Sequence, residues 1–210
     1  MSFAENAKPL LSRRERKKQE TEERILRAAL SLFQLKGFEE TTLEEISEKA
    51  DVSRATLTNY FGTKGALVLG LSRWGAAEVS DTLERRRQQL GTTQELLQEF
   101  FVLLARKAQI YPNAFEKITP RLARFPLSSS HGWQEWGSIL VRLLREGQER
   151  GEIRKDSDPQ ELAEVVAAVG FQSILICLRQ QPGSSLSELL RRRLELLWKG
   201  IQESSDNGSS

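Results

Sequence analysis

Apolar residues recur along most of the chain with the spacing of one face of an α-helix. In the amino-terminal part these positions are Ile25, Ala28, Ala29, Leu32 and Phe33. They predict an amphipathic helix, and Gly37, which follows directly, is a good residue for its left-handed C-cap. No stretch alternates convincingly between apolar and polar residues, so the sequence predicts an all-α protein.

Two short helices are predicted after this one. Thr42 is followed three residues later by a glutamate, which is the capping-box spacing, and the helix that it begins is only about two turns long. Residues 51–53 interrupt the periodicity, and Ser53 is a suitable N-cap for the second short helix. Leu57 and Phe61 form the inner face of that second helix.

The outward face of the second short helix carries small neutral hydrogen-bonding side chains. Thr56, Thr58 and Asn59 lie on this face, Arg54 and Tyr60 flank it, and the helix contains no acidic residue. A solvated face more typically carries Glu and Lys, whereas this composition suits base edges and phosphates. The two short helices therefore predict a DNA-binding helix-turn-helix, although the same outline also occurs as plain structure.

Longer helices are predicted for the rest of the chain, over about 67–90, 93–110, 133–150, 159–178 and 187–202, with a shorter piece over 114–125 bent at Pro120. The helix over 162–178 is apolar nearly all round and must be covered on two sides. We expect the domain core to cover one side and a second copy of the chain to cover the other. The candidate dimer-interface residues are Ala163, Ala167, Gly170, Ile174, Leu190 and Leu197.

Composition limits the classes of function. The chain has 210 residues and a formal net charge of +2, so nucleic-acid binding requires a local patch rather than a general excess of positive charge. Cys177 and His131 are the only cysteine and histidine, which argues against an internal disulfide and a zinc site. We expect no metal and no cofactor. No signal peptide or membrane-spanning stretch is recognised, so we expect a cytoplasmic protein.

Positive charge is concentrated near the start of the chain, at Lys8, Arg13, Arg14, Arg16, Lys17 and Lys18. We interpret residues 1–19 as a disordered basic arm. Two interpretations remain open, a solubilising tail and an arm that contacts DNA phosphates or the minor groove. By contrast, Arg191, Arg192 and Arg193 are expected on a solvated face, because Glu188 and Glu195 lie at pairing distance along the helix.

The segment over 37–64, together with the helix over 25–33, resembles the amino-terminal signature of the tetracycline-repressor-like (TetR) family of regulators. The resemblance implies a three-helix DNA-binding head on a larger helical domain that dimerises and binds a small effector. When the family's DNA contacts are carried over by position, the residues expected to contact phosphates are Thr42, Lys64, Thr56, Asn59 and Tyr60. The residues expected to approach base edges are Arg54, Ala55 and Thr58, and the cap Ser53 is also a candidate DNA-binding residue. Asp51 stands where the family usually has Gly, so the turn requires a left-handed aspartate, which that residue tolerates.

We expect most aromatic residues of the middle helices to be core and a minority to line an effector pocket. The candidates for the pocket are Phe100, Tyr111, Phe115, Trp133, Trp136 and Phe171, with His131 or Gln172 as polar anchors. The expected domains are the arm over 1–19, a DNA-binding domain over 20–66, an effector and dimerisation domain over 67–203, and a flexible tail over 204–210. The predicted function is a homodimeric repressor that releases a palindromic double-stranded DNA operator on binding an apolar or amphipathic small molecule.

Two other functions remain open at this point. The helix-turn-helix of a helical adaptor binds protein rather than DNA, and a helical pocket can also belong to an enzyme. The sequence has no GxSxG, HExxH or phosphate-binding glycine-rich loop, and its single histidine has no obvious partner. We therefore expect that the protein is not an enzyme.

Overall fold

A computed structural model describes residues 12–113, 134–179 and 186–201, and these residues form helices joined by short connections. The helices are α1 Arg13–Lys36, α2 Leu43–Lys49, α3 Arg54–Tyr60, α4 Lys64–Arg86, α5 Thr93–Ile110, α6 Gln134–Glu149, α7 Pro159–Arg179 and α8 Leu186–Ile201. The prediction of an all-α fold is confirmed. The short helix predicted over 114–125 lies outside the described residues.

Side-chain caps explain where several helices begin. Thr42 begins α2 and Thr92 begins α5, each as a capping box in which the cap side chain and the glutamate three residues later bond each other's backbone N–H groups. Gly37 ends α1 with a φ of 90°, and its N–H donates to the Phe33 carbonyl. An L-residue with a side chain rarely adopts this φ, which explains the glycine.

The expectation of a disordered arm over 1–19 is wrong for residues 13–19, which are the first turns of α1. Ser12 accepts a hydrogen bond from the Glu15 N–H at 3.2 Å, and Glu15 accepts one from the Ser12 N–H at 2.9 Å. This capping box satisfies the free donors of the first turn and extends α1 into the basic segment. The hydroxyl-to-acid spacing could have identified this helix start from the sequence.

The chain divides into two compact units between Leu67 and Val68. The core of the smaller unit is formed by the inner faces of α1, α2 and α3. Its fully buried side chains include Ile25, Ala29, Phe33, Ile46 and Leu57.

The larger unit is a bundle in which α7 packs against α6 and α8, and α5 packs against all three of these helices. Its core is aliphatic and aromatic, with Phe100, Phe101, Leu140, Leu143, Leu144 and Ile174 completely inaccessible to solvent. In the part of the chain that the structure describes, no helix combines the length and the apolar content needed to cross a membrane.

Candidate nucleic-acid interface

The two short helices α2 and α3 are joined by a tight turn that contains a left-handed aspartate. Asp51 has a φ of 51°, as the sequence predicts. Its N–H donates to the Glu48 carbonyl at 3.1 Å, and the Val52 N–H donates to the Ser47 carbonyl at 3.0 Å. These backbone bonds close the turn and set the direction in which the chain enters α3.

Helix α3 has a buried side and an exposed side. Leu57 is completely buried and Phe61, which follows the helix, is 8% exposed, so this side packs into the small unit. Arg54, Ala55, Thr58 and Asn59 are exposed, and Thr56 and Tyr60 are half-buried. The outward side chains are therefore those that the sequence predicts, and none of the side chains that α3 contributes to this face is acidic.

Hydroxyl groups near this face bond to their own chain. Ser53 caps α3 by accepting the Thr56 N–H at 3.0 Å, and its hydroxyl lies 2.8 Å from the Thr56 hydroxyl. Thr42 donates to Glu45 Oε2 at 2.9 Å within its capping box. By contrast, the Asn59 side chain has no hydrogen-bond partner among the described residues. Its exposed amide therefore has both its donors and its acceptor available for DNA.

Arg54 is held in place by two side chains. Its Nε donates to Glu44 Oε1 at 2.8 Å, and its Nη1 donates to the Thr58 hydroxyl at 2.5 Å. The Thr58 hydroxyl in turn donates to the Arg54 carbonyl at 2.9 Å. The hydrogen bond from Arg54 also lowers the pKa of Glu44. Sequence reasoning missed Glu44, which lies on α2 and has no distinctive spacing relative to Arg54.

Lys64 is bound within the small unit. Its ammonium donates to the Phe38 carbonyl at 2.8 Å and to the Glu39 carbonyl at 2.9 Å, and it lies 4.8 Å from the centre of the Phe38 ring. An ammonium has three donors, so one remains for a phosphate. Lys64 therefore ties the start of α4 to the connection between α1 and α2, and its phosphate contact stays a prediction.

Three candidate effector residues, Phe100, Trp136 and Phe171, belong to a packed aromatic cluster. The Phe100 ring lies edge-on to the Phe101 ring at 4.9 Å and to the Trp136 ring at 6.0 Å, and the Phe101 and Phe171 rings are 6.3 Å apart. Trp136 Nε1 donates to the Ser72 hydroxyl at 2.9 Å. These residues act as core in this conformation.

The other candidate effector residues are not part of this cluster as described. Tyr111 is half-buried and Gln172 is exposed. Phe115, Trp133 and His131 lie outside the described residues.

The candidate dimer residues on α7 and α8 also prove to be mostly core. Ala163 and Ile174 are 0% exposed, Ala167 is 3% exposed and Leu190 is 2% exposed. A Cβ atom added at Gly170 would overlap the Phe101 ring, so this glycine is required for packing inside one protomer. Buried side chains have almost no surface with which to contact a partner. Among the six candidates only Leu197, which is half-buried, keeps appreciable accessible surface. The interface assignment is therefore wrong for the other five positions.

Other positions on each of these two helices are open to solvent. On α7, Val165 is 51% exposed, and on α8, Leu196 is 67% exposed. Ala168 is also exposed on α7, one position after the buried Ala167. Val165 and Ala168 are three residues apart, so they lie on the same face of α7. The sequence alone does not say which face of an apolar helix packs against its own core.

Ion pairs and hydrogen bonds define the roles of two surface segments in the larger unit. Arg191 and Arg192 are exposed, and Arg191 pairs with Glu188 at 2.7 Å and with Glu195 at 2.6 Å, which confirms a solvated face for these two arginines. The prediction is wrong for Arg193, which is half-buried and donates from Nη1 to the Ser173 hydroxyl on α7 at 3.0 Å. The segment around Glu152 fastens neighbouring elements, since this carboxylate accepts the Thr93 N–H at 2.6 Å and the Arg154 N–H donates to the Ile201 carbonyl at 3.0 Å. That segment has a structural role.

Comparison with known proteins agrees with this geometry. Residues 25–71, which run from α1 into α4, match the family model described as bacterial regulatory proteins, tetR family. The uncharacterized HTH-type transcriptional regulator YvkB of Bacillus subtilis is 31% identical over 163 residues, which are 72% of this chain and 79% of that protein. The A-factor receptor protein of Streptomyces griseus is 26% identical over 179 residues, or 84% of this chain, which matches only 60% of that protein's length.

A solved structure is similar over both units. The TetR-family transcriptional repressor FadR of Thermus thermophilus, crystallised with lauroyl-CoA, is 28% identical and superposes with a TM-score of 0.67. The superposition covers 90% of this chain and 100% of that chain.

Proposed function

Because this chain belongs to the TetR family of bacterial transcriptional regulators, we propose that it is a homodimeric repressor that leaves its operator when a small molecule binds. The family consists of regulators rather than enzymes, in agreement with the expectation from the sequence. The operator is a palindromic duplex with one half-site for each protomer. The effector is apolar or amphipathic.

The exposed face of α3 is the observation that supports DNA binding. It presents Arg54, Ala55, Thr58 and Asn59 to solvent without an acidic side chain among them. A helix of this kind fits the major groove as the second helix of a helix-turn-helix, with its first turn near the base edges. Arg54 is the residue proposed to recognise guanine, because a guanidinium can offer parallel donors to O6 and N7.

The exposed side of α7 and α8 supports a dimer. Val165 and Leu196 are large apolar residues with more than half of their surface in solvent, and burying them against a second copy is favourable. A two-fold symmetric protein binds two symmetric half-sites whose spacing is fixed by the protein. The proposed mechanism is a change in this spacing when the effector binds. The effector can shift the equilibrium only as far as its affinities for the two states differ.

The aromatic core of the larger unit supports an apolar effector. Phe100, Phe101, Trp136 and Phe171 bring their rings together, and aromatic side chains are typical of the lining of small-molecule pockets. The lauroyl-CoA complex of the Thermus thermophilus FadR makes long-chain acyl-CoA the first compounds to try. A pocket for such a chain requires these rings to separate from the packing observed here.

The DNA-binding proposal can be tested by selection. The purified full-length chain is incubated with a pool of random-sequence duplexes, and the bound fraction is sequenced. We expect the bound duplexes to share a palindromic motif. The logarithm of the binding constant should fall linearly with the logarithm of the salt concentration, with a slope of about −0.9 for each phosphate contact. Arg54→Ala is expected to relax one position in each half-site, whereas a variant of a phosphate-contacting residue weakens all sequences alike.

An adaptor that binds protein through the same helices gives a different result. It selects no DNA sequence, and at a net charge of +2 it is not retained on a polyanion column at low salt. That outcome would reject the repressor proposal.

Effector binding is tested separately with acyl-CoA of increasing chain length. We expect a thermal shift, a change in tryptophan fluorescence and release of the selected duplex, all at the same ligand concentrations. If a broad apolar library produces none of these changes, the sensing role is rejected while DNA binding stands.

A further inference from the structure

The contacts of Arg54 orient its guanidinium and leave some of its N–H groups available as hydrogen-bond donors. A guanidinium has five N–H donors. Glu44 takes the Nε hydrogen and Thr58 takes one hydrogen of Nη1, so the second Nη1 hydrogen and both Nη2 hydrogens have no partner among the described residues. These remaining donors suffice for a bidentate contact to guanine O6 and N7.

We propose that Glu44 and Thr58 are positioning residues that fix the Arg54 guanidinium for reading a base, so that the sequence preference of the protein depends on side chains that need not touch DNA themselves. This inference rests on the proposed DNA-binding function. It reassigns Thr58, which the family resemblance places near a base edge, to a role that acts through Arg54.

The argument begins with the freedom of an exposed arginine. The Arg54 side chain is 41% exposed, and an unrestrained arginine samples many rotamers that it must give up on binding. Here one contact comes from α2 and the other from the next turn of α3. A donor group that is already oriented loses less entropy when it binds, and the gain is greatest for a contact that requires two aligned bonds.

The charge of Glu44 is consistent with this role. A carboxylate near DNA is repelled by phosphates, so an acid with no other use at this place weakens binding to every sequence. Glu44 is paired with Arg54, and the pair leaves little net charge. Its presence therefore costs affinity for DNA in general while it favours the one geometry that suits a specific base.

Thr58 contributes through both roles of its hydroxyl. The oxygen accepts from Arg54 Nη1 while the hydrogen is donated to the Arg54 carbonyl. The oxygen therefore lies where the guanidinium needs an acceptor. Valine has nearly the same shape without the hydroxyl, and serine keeps the hydroxyl with a smaller side chain.

The experiment compares two probes for each variant of the full-length chain. One is the duplex selected from the random pool by the unaltered protein, and the other is a random-sequence duplex of equal length. Glu44→Gln is expected to bind the random duplex as well as or better than the unaltered protein. The glutamine amide oxygen can still accept from Arg54 Nε but more weakly than the carboxylate, so the preference for the selected duplex falls roughly two- to tenfold, the difference between a hydrogen bond to a charged group and one to a neutral group. Thr58→Val also lowers this preference, and Thr58→Ser retains it.

Matched controls separate positioning from charge. Glu48→Gln removes the same charge one turn further along α2, from an exposed side chain with no partner among the described residues, and is expected to leave the preference unchanged. In the background of Arg54→Ala, neither Glu44→Gln nor Thr58→Val lowers the preference further, because the residue through which they act is gone. Thermal unfolding of each variant checks that the fold is retained.

The outcomes are distinct. An equal change on both probes for Glu44→Gln and Thr58→Val overturns the positioning role, as does a further loss of preference in the Arg54→Ala background. If the unaltered protein selects no sequence at all, the proposed function itself fails. Support requires that both variants relax the base pair that Arg54→Ala relaxes.

Discussion

Helix α3 of the small unit and helix α7 of the larger unit differ in where their candidate functional residues lie. On α3, Arg54, Thr58 and Asn59 are exposed, as polar residues on one side of an amphipathic helix should be. On α7, the pattern predicts a dimer contact at Ala167 and Ile174, yet both are buried inside one protomer. Polar character identifies a surface, whereas apolar character is shared by cores and interfaces.

The difference teaches which inferences need a structure. A neutral polar residue without a core partner is exposed in almost any arrangement of the helices, because burying it unpaired is costly. An apolar residue gains the same free energy from its own core as from a second subunit. The packing of α6 and α8 against α7 therefore decides which of its sides is left for a partner.

The largest expected effect is a difference in stability between glutamate variants at two adjacent positions on α7. Ala167→Glu places a charge at a site that is 3% exposed, and we expect it to lower the free energy of unfolding by roughly 3–5 kcal/mol, as for an uncompensated buried charge. Ala168→Glu, on the exposed side, is expected to leave the stability of the protomer almost unchanged. Denaturant unfolding at low protein concentration measures both. Equal losses would mean that both sides of α7 are buried.

The second effect concerns the proposed dimer. Leu196→Glu is expected to raise the dimer dissociation constant by at least about 30-fold, because a central apolar contact contributes about 2 kcal/mol or more. Sedimentation over a range of concentrations measures this change. The matched control is Leu35→Glu on α1, since Leu35 is also a highly exposed leucine, at 78%. If the unaltered protein sediments as a monomer at micromolar concentration, the dimer proposal is abandoned.

The third effect tests the role of Lys64 in the small unit. Lys64→Met keeps the aliphatic stem but loses the bonds to the Phe38 and Glu39 carbonyls. We expect a loss of about 1.5–3 kcal/mol of stability, typical of a hydrogen bond to a charged group. Lys49→Met, which removes an exposed lysine of α2, is the control. Salt titrations of DNA binding by both variants then show whether Lys64 also contacts phosphate.

The smallest effect is a dependence on pH. The hydrogen bond from Lys36, followed by those from the Thr42 N–H and hydroxyl, lowers the pKa of Glu45 from an ordinary 4.5 to about 2. Because the folded pKa lies below the unfolded one, the stabilisation is fully present above pH 4.5 and is lost as the pH falls toward 2.

Glu45→Gln is expected to flatten this part of the stability curve, measured as the denaturation midpoint against pH. A curve that falls equally steeply for the variant would assign the acid sensitivity to other carboxylates. Asp156 is one such group, since the hydrogen bond from Arg154 also lowers its pKa to about 2.

Much of the fold could be predicted because its signals are local. The Thr42 capping box, the Ser53 cap and the left-handed Asp51 depend on residues within one turn of each other. The start of α1 carries the same kind of signal at Ser12, but the surrounding positive charges led to an interpretation as disorder. Charge density alone was therefore a poorer guide than the cap.

The sequence by itself determined the helices, their ends and the polar face of α3, because periodicity and capping act between residues close in the chain. Tertiary structure decided that Glu44 holds Arg54, that Lys64 fastens the connection after α1, and that Gly170 lies against Phe101. Each of these contacts joins different elements. Their geometry follows from how helices pack, which spacing within one helix does not specify.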